Sequence, residues 1–147
     1  MGDGDGWLHC ALGHRHWGLF GAAGLLVVTP ARTVLLQHRA PWSHGGDSWG
    51  VPGGAMHSDE TPEQAARRET AEETGLDVDR LVLHADHVDD HVTWRYTTLV
   101  ASAPAALPVT PERESVELRW VPLDAVEELP LHAAFRAAWP RLSALVP

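Results

Sequence analysis

The chain has 147 residues, of which 44% are hydrophobic and 21% are charged, and its formal net charge at pH 7 is -9. This composition is ordinary for a globular protein, and the length is sufficient for one domain with its own core. The negative charge argues against a general nucleic-acid binder, which needs a basic surface to neutralise phosphates. No apolar run approaches the roughly 18 residues of a membrane-spanning helix.

The first 17 residues are polar and rich in glycine and histidine. They predict a flexible lead-in over residues 1–17, followed by one domain over residues 18–147. The start of the chain carries no basic residue and therefore does not resemble a secretory signal. Cys10 is the only cysteine, which excludes an internal disulfide and is typical of a reducing compartment. We therefore expect a cytoplasmic location.

Three histidines, His9, His14 and His16, lie close to Cys10 in the sequence. Imidazole and thiolate groups are the preferred ligands of zinc. The spacing matches no paired zinc motif, however. The sequence alone therefore favours an ordinary polar segment over a zinc site.

Two strands are predicted before the middle of the chain. Residues 19–29 form a mostly apolar run that ends at Pro30, and residues 33–38 form a second apolar run after a tight connection. Residues 41–47 have the glycine, proline and serine content of a loop. Residues 48–51 are then expected to form a short extended segment.

The clearest helix signal follows Thr61, which is suited to the N-cap position. Pro62 suits the first helical position, and Gln64 completes a capping box. Residues 63–74 contain neither glycine nor proline, and Gly75 lies where a left-handed C-terminal residue belongs. The sequence therefore predicts a helix that ends at Thr74.

The rest of the chain predicts further strands and then helices. The expected strands cover residues 81–87, 93–102 and 116–121, and the expected helices cover residues 123–129 and 131–145, the last with a break or kink at Pro140. Strands and helices in this order favour an α/β fold in which a mixed sheet lies between helices.

Glu69, Glu72 and Glu73 are spaced so that all three share one face of the predicted helix. Like charges at this spacing repel one another, whereas a hard cation such as Mg2+ binds carboxylates together with substrate phosphates. Immediately before the helix, the turn around Gly53 and Gly54 lets the backbone approach a ligand closely. The alternative is a solvated helix face without a ligand.

The residues from Gly54 to Leu76 resemble the signature of the Nudix hydrolase family. The matching positions are Gly54, Glu60, Arg68, Glu69, Glu72, Glu73, Gly75 and Leu76. Thr70 departs from the pattern, because the family usually has an aliphatic residue there, and this change concerns a core contact rather than the chemistry. Flanking segments at 35–39, 49–54 and 119–123 are also similar to the family.

The resemblance implies a Nudix-type α/β/α sandwich with a mixed central β-sheet, and a hydrolase that uses Mg2+ or Mn2+ to cleave a diphosphate linkage. Glu69, Glu72 and Glu73 would be the catalytic metal ligands, with Glu72 also a candidate general base, and the carbonyl oxygen of Gly54 would complete a metal site.

The family pattern also implies residues that support the metal ligands. Arg68 would orient the catalytic glutamates through an ion pair, with Glu60 as its expected partner. Many members add a carboxylate from a later loop. Glu112, Glu114 and Glu117 compete for that role, and we favour Glu114.

Four residues are candidates for substrate binding. Arg39 could contact a phosphate or could be an exposed residue at a strand end. Trp94 and Tyr96 alternate with Arg95 and so face the same side of a strand, where they could stack on a nucleobase, although core packing is the commoner role. The same two alternatives apply to Trp49.

The implied substrate is a small nucleoside diphosphate derivative. We expect a nucleoside triphosphate, normal or oxidised, that yields a monophosphate and pyrophosphate, with a nucleotide sugar or ADP-ribose as the alternative. An isoprenoid diphosphate isomerase needs an active-site cysteine, and Cys10 lies upstream of the first predicted strand. A non-catalytic sensor tends to lose the box glutamates, and all are present. Because many relatives are dimers, a homodimer remains open.

Overall fold

The structure is a computed structural model that describes residues 2–42, 46–112 and 115–147. A hairpin precedes a larger sheet, and two helices cover that sheet. The strands are β1 (Trp7–His9), β2 (Arg15–Trp17), β3 (Ala22–Val28), β4 (Thr33–Arg39), β5 (Trp49–Gly50), β6 (Gly53–Ala55), β7 (Val82–Asp90), β8 (Arg95–Ser102) and β9 (Ser115–Pro122). The helices are α1 (Pro62–Thr74) and α2 (Ala133–Leu145), with 3-10 turns at Val78–Arg80 and Leu123–Glu128.

The larger sheet is mixed, as the sequence predicts. Its strand order is β5-β4-β3-β8-β7, with β6 paired to β3 and β9 paired to β4. β3 and β8 run parallel, whereas the other pairs are antiparallel. The parallel pair places the beginning of β8 beside the beginning of β3, so that Tyr96 is the register partner of Ala22.

Helices cover both faces of the sheet, which explains why every residue of β3 is buried. Successive side chains of a strand point to opposite faces, so Leu25 and Val27 pack on the α1 side while Leu26 and Val28 pack on the α2 side. The α/β/α arrangement expected from the sequence is therefore confirmed. Among the described residues, neither helix is long and apolar enough to cross a membrane.

Helix α1 begins and ends where its sequence predicts. The Thr61 hydroxyl accepts a hydrogen bond from the Gln64 backbone N–H at 3.2 Å, and the Gln64 side chain accepts one from the Thr61 N–H at 2.9 Å. At the other end Gly75 adopts the left-handed conformation, with φ of 69°, and donates to the Ala71 carbonyl. These caps fix the helix that carries the box glutamates.

Two features of the fold differ from the sequence prediction. The hairpin of β1 and β2 was not among the predicted strands, because each strand has only three residues and neither shows a long alternating pattern. Helix α2 continues through Pro140, so the helix does not break there, which was one of the two outcomes that we expected. Trp139 and Leu142, on either side of Pro140, are buried against the sheet, and this packing outweighs the backbone hydrogen bond that proline cannot make.

Candidate active site

Two carboxylates of α1 approach Gly53 and Gly54, where the sequence predicts a turn and the structure has the short strand β6, called the glycine turn below. The Glu73 side chain accepts a hydrogen bond from the Gly53 N–H at 3.0 Å. One turn earlier in the helix, the carboxylate of Glu69 lies against Gly54. Strand β6, which contains both glycines, pairs with β3 in the sheet, so the sheet fixes the position of the turn relative to the helix.

A side chain at Gly54 would displace the Glu69 carboxylate. A Cβ atom at this position would lie 2.6 Å from the Oε2 atom of Glu69, which is far inside van der Waals contact. Glycine therefore lets the backbone and the carboxylate come close together. The carbonyl-bearing backbone of Gly54 and the Glu69 carboxylate border the same space.

Arg68 clamps the carboxylates from the other side. Its Nε and Nη2 atoms donate to the two oxygens of Glu60 at 2.7 and 2.9 Å, and Nη2 also donates to the Ala55 carbonyl at 3.0 Å. Its Nη1 atom donates to Glu69 at 2.8 Å. The hydrogen bonds from Arg68 are the main reason that the pKa of Glu60 falls to about 2, and the same contacts raise the pKa of Arg68.

The pKa of the Glu69 carboxyl group is raised although Arg68 donates a hydrogen bond to it. The main cause is burial of the side chain, and the negative charges of Glu72 and Asp5 add to it. Hydrogen bonding and charge from Arg68 act in the opposite direction. A buried carboxylate with excess negative charge around it, beside a glycine backbone, fits a divalent cation with oxygen ligands.

Glu72 lies at the outer edge of this group. Its side chain is 59% exposed, compared with 18% for Glu69, and its contact with Arg68 is 3.4 Å long. Because Glu72 is exposed and this contact is long, its side chain can rotate toward a ligand at the surface of the helix. The structure therefore brings the predicted metal-binding side chains together on one face of α1, with Glu69 and Glu73 inside and Glu72 outside.

Tyr96 lies beneath the glycine turn. A Cβ atom at Gly53 would lie 2.9 Å from the Tyr96 hydroxyl. Burial raises the pKa of Tyr96 to about 12, with Arg39 opposing this shift and Glu73 and Glu69 adding to it. Arg39, at the end of β4, is thus within electrostatic range of the same hydroxyl that Glu69 and Glu73 influence.

The rings of both candidate tryptophans, Trp49 and Trp94, are stacked on histidines. Trp49 is buried, with its ring stacked on His38 at 4.9 Å and the Arg119 guanidinium 4.7 Å from the ring centre. Trp94 stacks on His16, and its indole N–H donates to the Gly18 carbonyl at 2.8 Å. The ring of Trp94 also borders a cleft of about 270 Å³.

Of the three candidate carboxylates from the later loop, the structure describes Glu112 and Glu117. Glu114, which we favoured, lies outside the described residues. Glu112 is exposed, and Glu117 forms an ion pair with Arg119 at 2.9 Å.

The sequence did not indicate two contributors to the site. Asp5 belongs to the N-terminal segment but brings negative charge close to Glu69. His57 donates its backbone N–H to Glu60 at 2.8 Å and so helps to hold the partner of Arg68. A backbone donor leaves no mark on residue type, and the approach of Asp5 depends on tertiary structure, so no sequence pattern could have found either.

Comparisons with known proteins agree with this geometry. The family model described as NUDIX domain matches residues 19–142. The chain is 52% identical to a Mycobacterium tuberculosis protein named "Putative 8-oxo-dGTP diphosphatase 3", over 96% of this chain and 70% of that protein. It is 40% identical to the 8-oxo-dGTP diphosphatase of Proteus vulgaris, over 49% of this chain and 67% of that protein.

Among solved structures, the fold matches the crystal structure of a Nudix hydrolase from M. smegmatis, RenU. The TM-score is 0.88 at 47% sequence identity, and the match covers 98% of both chains. The family match spans most of this chain, and the Mycobacterium tuberculosis relative and the M. smegmatis structure align along nearly all of it. The chain therefore belongs to the Nudix family and is a Nudix hydrolase.

Proposed function

We propose that this hydrolase cleaves nucleoside triphosphates, including oxidised purine nucleotides, to a nucleoside monophosphate and pyrophosphate. The observation that carries the substrate class is the 52% identity to a relative named for action on 8-oxo-dGTP, over 96% of this chain. The Proteus vulgaris relative bears the same activity in its name. The substrate is thus a small nucleotide rather than a nucleic acid.

Nudix hydrolases use divalent cations, and we propose Mg2+ or Mn2+ for this chain. Glu69 and Glu73 are the inner ligands, because both carboxylates reach the glycine turn. Glu72 and the carbonyl oxygen of Gly54 complete the ligand set. When bound, the cation neutralises diphosphate charge and lowers the pKa of a coordinated water. A box glutamate then accepts the proton of the attacking water, with Glu72 the most exposed candidate for this base.

The supporting residues hold these groups in register. Arg68 and Glu60 form a bidentate ion pair, which fixes the guanidinium so that its remaining donor orients Glu69. Arg39 acts electrostatically on the same Tyr96 hydroxyl as Glu69 and Glu73, and this proximity supports a role in binding a substrate phosphate. Both tryptophans are buried, but Trp94 borders the cleft and Trp49 does not, so Trp94 is the better placed of the two for a nucleobase.

A substrate panel with and without metal tests this proposal. The panel contains 8-oxo-dGTP, dGTP, ADP-ribose and a nucleotide sugar, and products are separated by ion-exchange chromatography. We expect 8-oxo-dGTP and Mg2+ to give 8-oxo-dGMP and pyrophosphate in equal amounts. Excess EDTA abolishes the reaction and added Mg2+ restores it.

Other outcomes would redirect the proposal. A kcat/KM for ADP-ribose or the nucleotide sugar above that for 8-oxo-dGTP would favour the alternative pyrophosphatase activity. Release of inorganic phosphate in place of pyrophosphate would contradict the proposed bond cleavage. A cytoplasmic location and a homodimer stay predictions, which fractionation of the native host and light scattering of the purified chain would test.

A further inference from the structure

Four side chains with metal-ligating atoms meet at a point away from the box glutamates. Cys10, His14 and His16 come from the N-terminal hairpin, and His91 comes from the turn between β7 and β8. One ligand atom from each of the four residues lies within 4.8 Å of every other. We call these four residues the cysteine–histidine cluster.

The distances within the cluster are close to those of a tetrahedral zinc site. Bond lengths of about 2.3 Å to sulfur and about 2.0–2.1 Å to nitrogen place tetrahedral ligand atoms about 3.3–3.6 Å apart. The His14 and His91 Nδ1 atoms are 3.4 Å apart, and the Cys10 sulfur is 3.9 Å from His91 Nδ1. The remaining pairs of ligand atoms lie within 4.8 Å, so side-chain rotations that shorten these distances by up to about 1.5 Å would complete the tetrahedron.

The backbone of the hairpin turn brings its three ligands to one side. The Cys10 N–H donates to the His14 carbonyl at 2.9 Å, and the Gly13 N–H donates back to the Cys10 carbonyl at 3.0 Å. Gly13 has a φ of 83°, which closes this tight turn without side-chain strain. His16 lies in β2 and His14 immediately precedes this strand, so their two-residue spacing favours the same face for both side chains.

The fourth ligand is held from two directions. The His91 N–H donates to the Trp94 carbonyl at 2.8 Å, which closes the turn after β7. The Thr93 hydroxyl accepts a hydrogen bond from the Ala11 N–H at 2.9 Å, so this turn is fastened to the hairpin turn. The cluster therefore joins residues about 80 positions apart through matching backbone turns.

Two contacts around the cluster fit the environment of a bound metal. The Nε2 atom of His91 lies 3.3 Å from the Asp89 carboxylate, while its Nδ1 atom faces Cys10 and His14. A carboxylate on the far nitrogen of a histidine keeps the proton there and leaves the near nitrogen free to bind a metal. The ring of His16 stacks on Trp94, with centres 3.8 Å apart and planes 6° from parallel, which fixes its direction.

We propose that the cysteine–histidine cluster binds one structural Zn2+ ion. One thiolate and three imidazoles suit zinc better than the hard cations of the box, which prefer oxygen. The protein would fill all four tetrahedral positions, which is typical of a structural rather than a catalytic site. The ion would fasten the N-terminal hairpin to the turn between β7 and β8, beside the cleft that Trp94 borders.

Metal analysis of the purified full chain tests the proposal. After growth with added zinc and gel filtration, mass spectrometry should find about one zinc per chain. Cys10→Ser and His91→Ala should lose most of this zinc. His9→Ala is the matched control, because His9 is an exposed hairpin histidine outside the cluster, and it should keep zinc. Glu73→Gln should also keep it, which separates this ion from the catalytic metal.

A Co2+ spectrum covers the case in which a variant folds poorly. Chelator-stripped wild-type protein loaded with Co2+ should show the visible bands of a tetrahedral ion and the near-ultraviolet band of a cobalt–thiolate bond. Cys10→Ser should lose the thiolate band, whereas His9→Ala should keep both. Zinc removal should also lower the melting temperature of wild type and His9→Ala but not that of His91→Ala.

Three results would overturn the proposal. One is a wild-type chain that neither contains zinc nor takes up one equivalent on dialysis. Another is zinc that survives in both Cys10→Ser and His91→Ala. The third is a Co2+ spectrum of octahedral oxygen ligation, which would place the ion at the glutamates.

Discussion

The catalytic box and the cysteine–histidine cluster differ in how their residues are spread along the chain. All of the box from Gly54 to Leu76 is contiguous, and the positions of its proposed ligands follow from the geometry of one capped helix and the adjacent glycines. The cluster needs a hairpin at residues 7–17 to meet a turn at residue 91. A contiguous site can therefore be predicted from spacing, whereas a site completed by tertiary contact cannot.

The box and the cysteine–histidine cluster also differ in the chemistry of their side chains. The box gathers carboxylate oxygens next to Gly53 and Gly54 and leaves Glu72 exposed, as the proposed exchangeable metal would require. The cluster gathers a buried thiol and three imidazoles around a point that the protein can close completely. Substitutions in the box should therefore affect hydrolysis strongly, and their sizes should follow how directly each residue contacts the metal ligands.

The largest effect is expected for Glu73→Gln, which keeps the shape of the side chain but removes its charge. We expect kcat/KM to fall by about 10²–10⁴-fold with little change in helix content, because an inner ligand is lost. Steady-state release of pyrophosphate measures the change.

Glu63→Gln is the matched control for Glu73→Gln. Glu63 lies on the same helix but pairs with Arg67, away from the glycine turn, so its loss should leave turnover nearly unchanged. If Glu73→Gln kept wild-type turnover with Mg2+, Glu73 would be removed from the ligand set.

A smaller loss is expected for Gly54→Ala. The added methyl group would meet the Glu69 carboxylate, so either the carboxylate or the turn has to move. We expect kcat/KM to fall by about 10–100-fold, the usual range for changes that displace a metal ligand without removing it. The Mg2+ concentration for half-maximal activity should rise as well.

Gly75→Ala separates this effect from general backbone strain. Gly75 has a φ of 69°, but a Cβ atom there would meet nothing within 4 Å. That variant should therefore lose stability while it keeps its Mg2+ requirement. Equal Mg2+ requirements for wild type and Gly54→Ala would contradict a role for this turn in metal binding.

The Glu60–Arg68 ion pair should make the free energy of unfolding decrease at acidic pH. The pKa of Glu60 drops from 4.5 to about 2 on folding, so the ionised pair stabilises the protein above pH 4.5, and this contribution is lost as the pH falls toward 2. We expect the pair to contribute about 1–2 kcal/mol at neutral pH, allowing for solvent screening.

Urea denaturation between pH 2 and pH 7 measures this contribution. Glu60→Gln should lower the free energy of unfolding at neutral pH and show less further loss below pH 4.5. A parallel pH dependence in wild type and variant would mean that other carboxylates cause the acid sensitivity.

Residue types determine how much of the molecule can be predicted from its sequence. Helix α1 and its caps are predictable because Thr61, Gln64 and Gly75 each carry out their role locally. Continuous burial of β3 follows from its apolar run. By contrast, the approach of Asp5 to Glu69 and of His91 to Cys10 depends on packing between distant segments. Proline at 140 misleads for a related reason, since packing of its neighbours maintains the helix.

The smallest effect concerns Thr70, the one position where the box departs from the family pattern. Thr70 is fully buried, and its hydroxyl has no hydrogen-bond partner among the described residues. A buried hydroxyl without a partner costs free energy, and valine has nearly the same shape without the oxygen. Thr70→Val should therefore raise the free energy of unfolding by about 1 kcal/mol.

Thr74→Val provides the opposite case one helical turn later. Thr74 is equally buried, but its hydroxyl donates to the Thr70 carbonyl at 2.7 Å and accepts from the Leu76 N–H at 3.1 Å. Valine there would leave the Leu76 N–H without this acceptor, so unfolding free energy should fall by about 1–2 kcal/mol. Urea denaturation of both variants measures the two changes in the free energy of unfolding, which should have opposite signs. If Thr70→Val destabilised the protein as Thr74→Val does, the Thr70 hydroxyl would have to be hydrogen-bonded. The threonine would then stabilise the helix of the box, and its hydroxyl would not be a cost of departing from the family pattern.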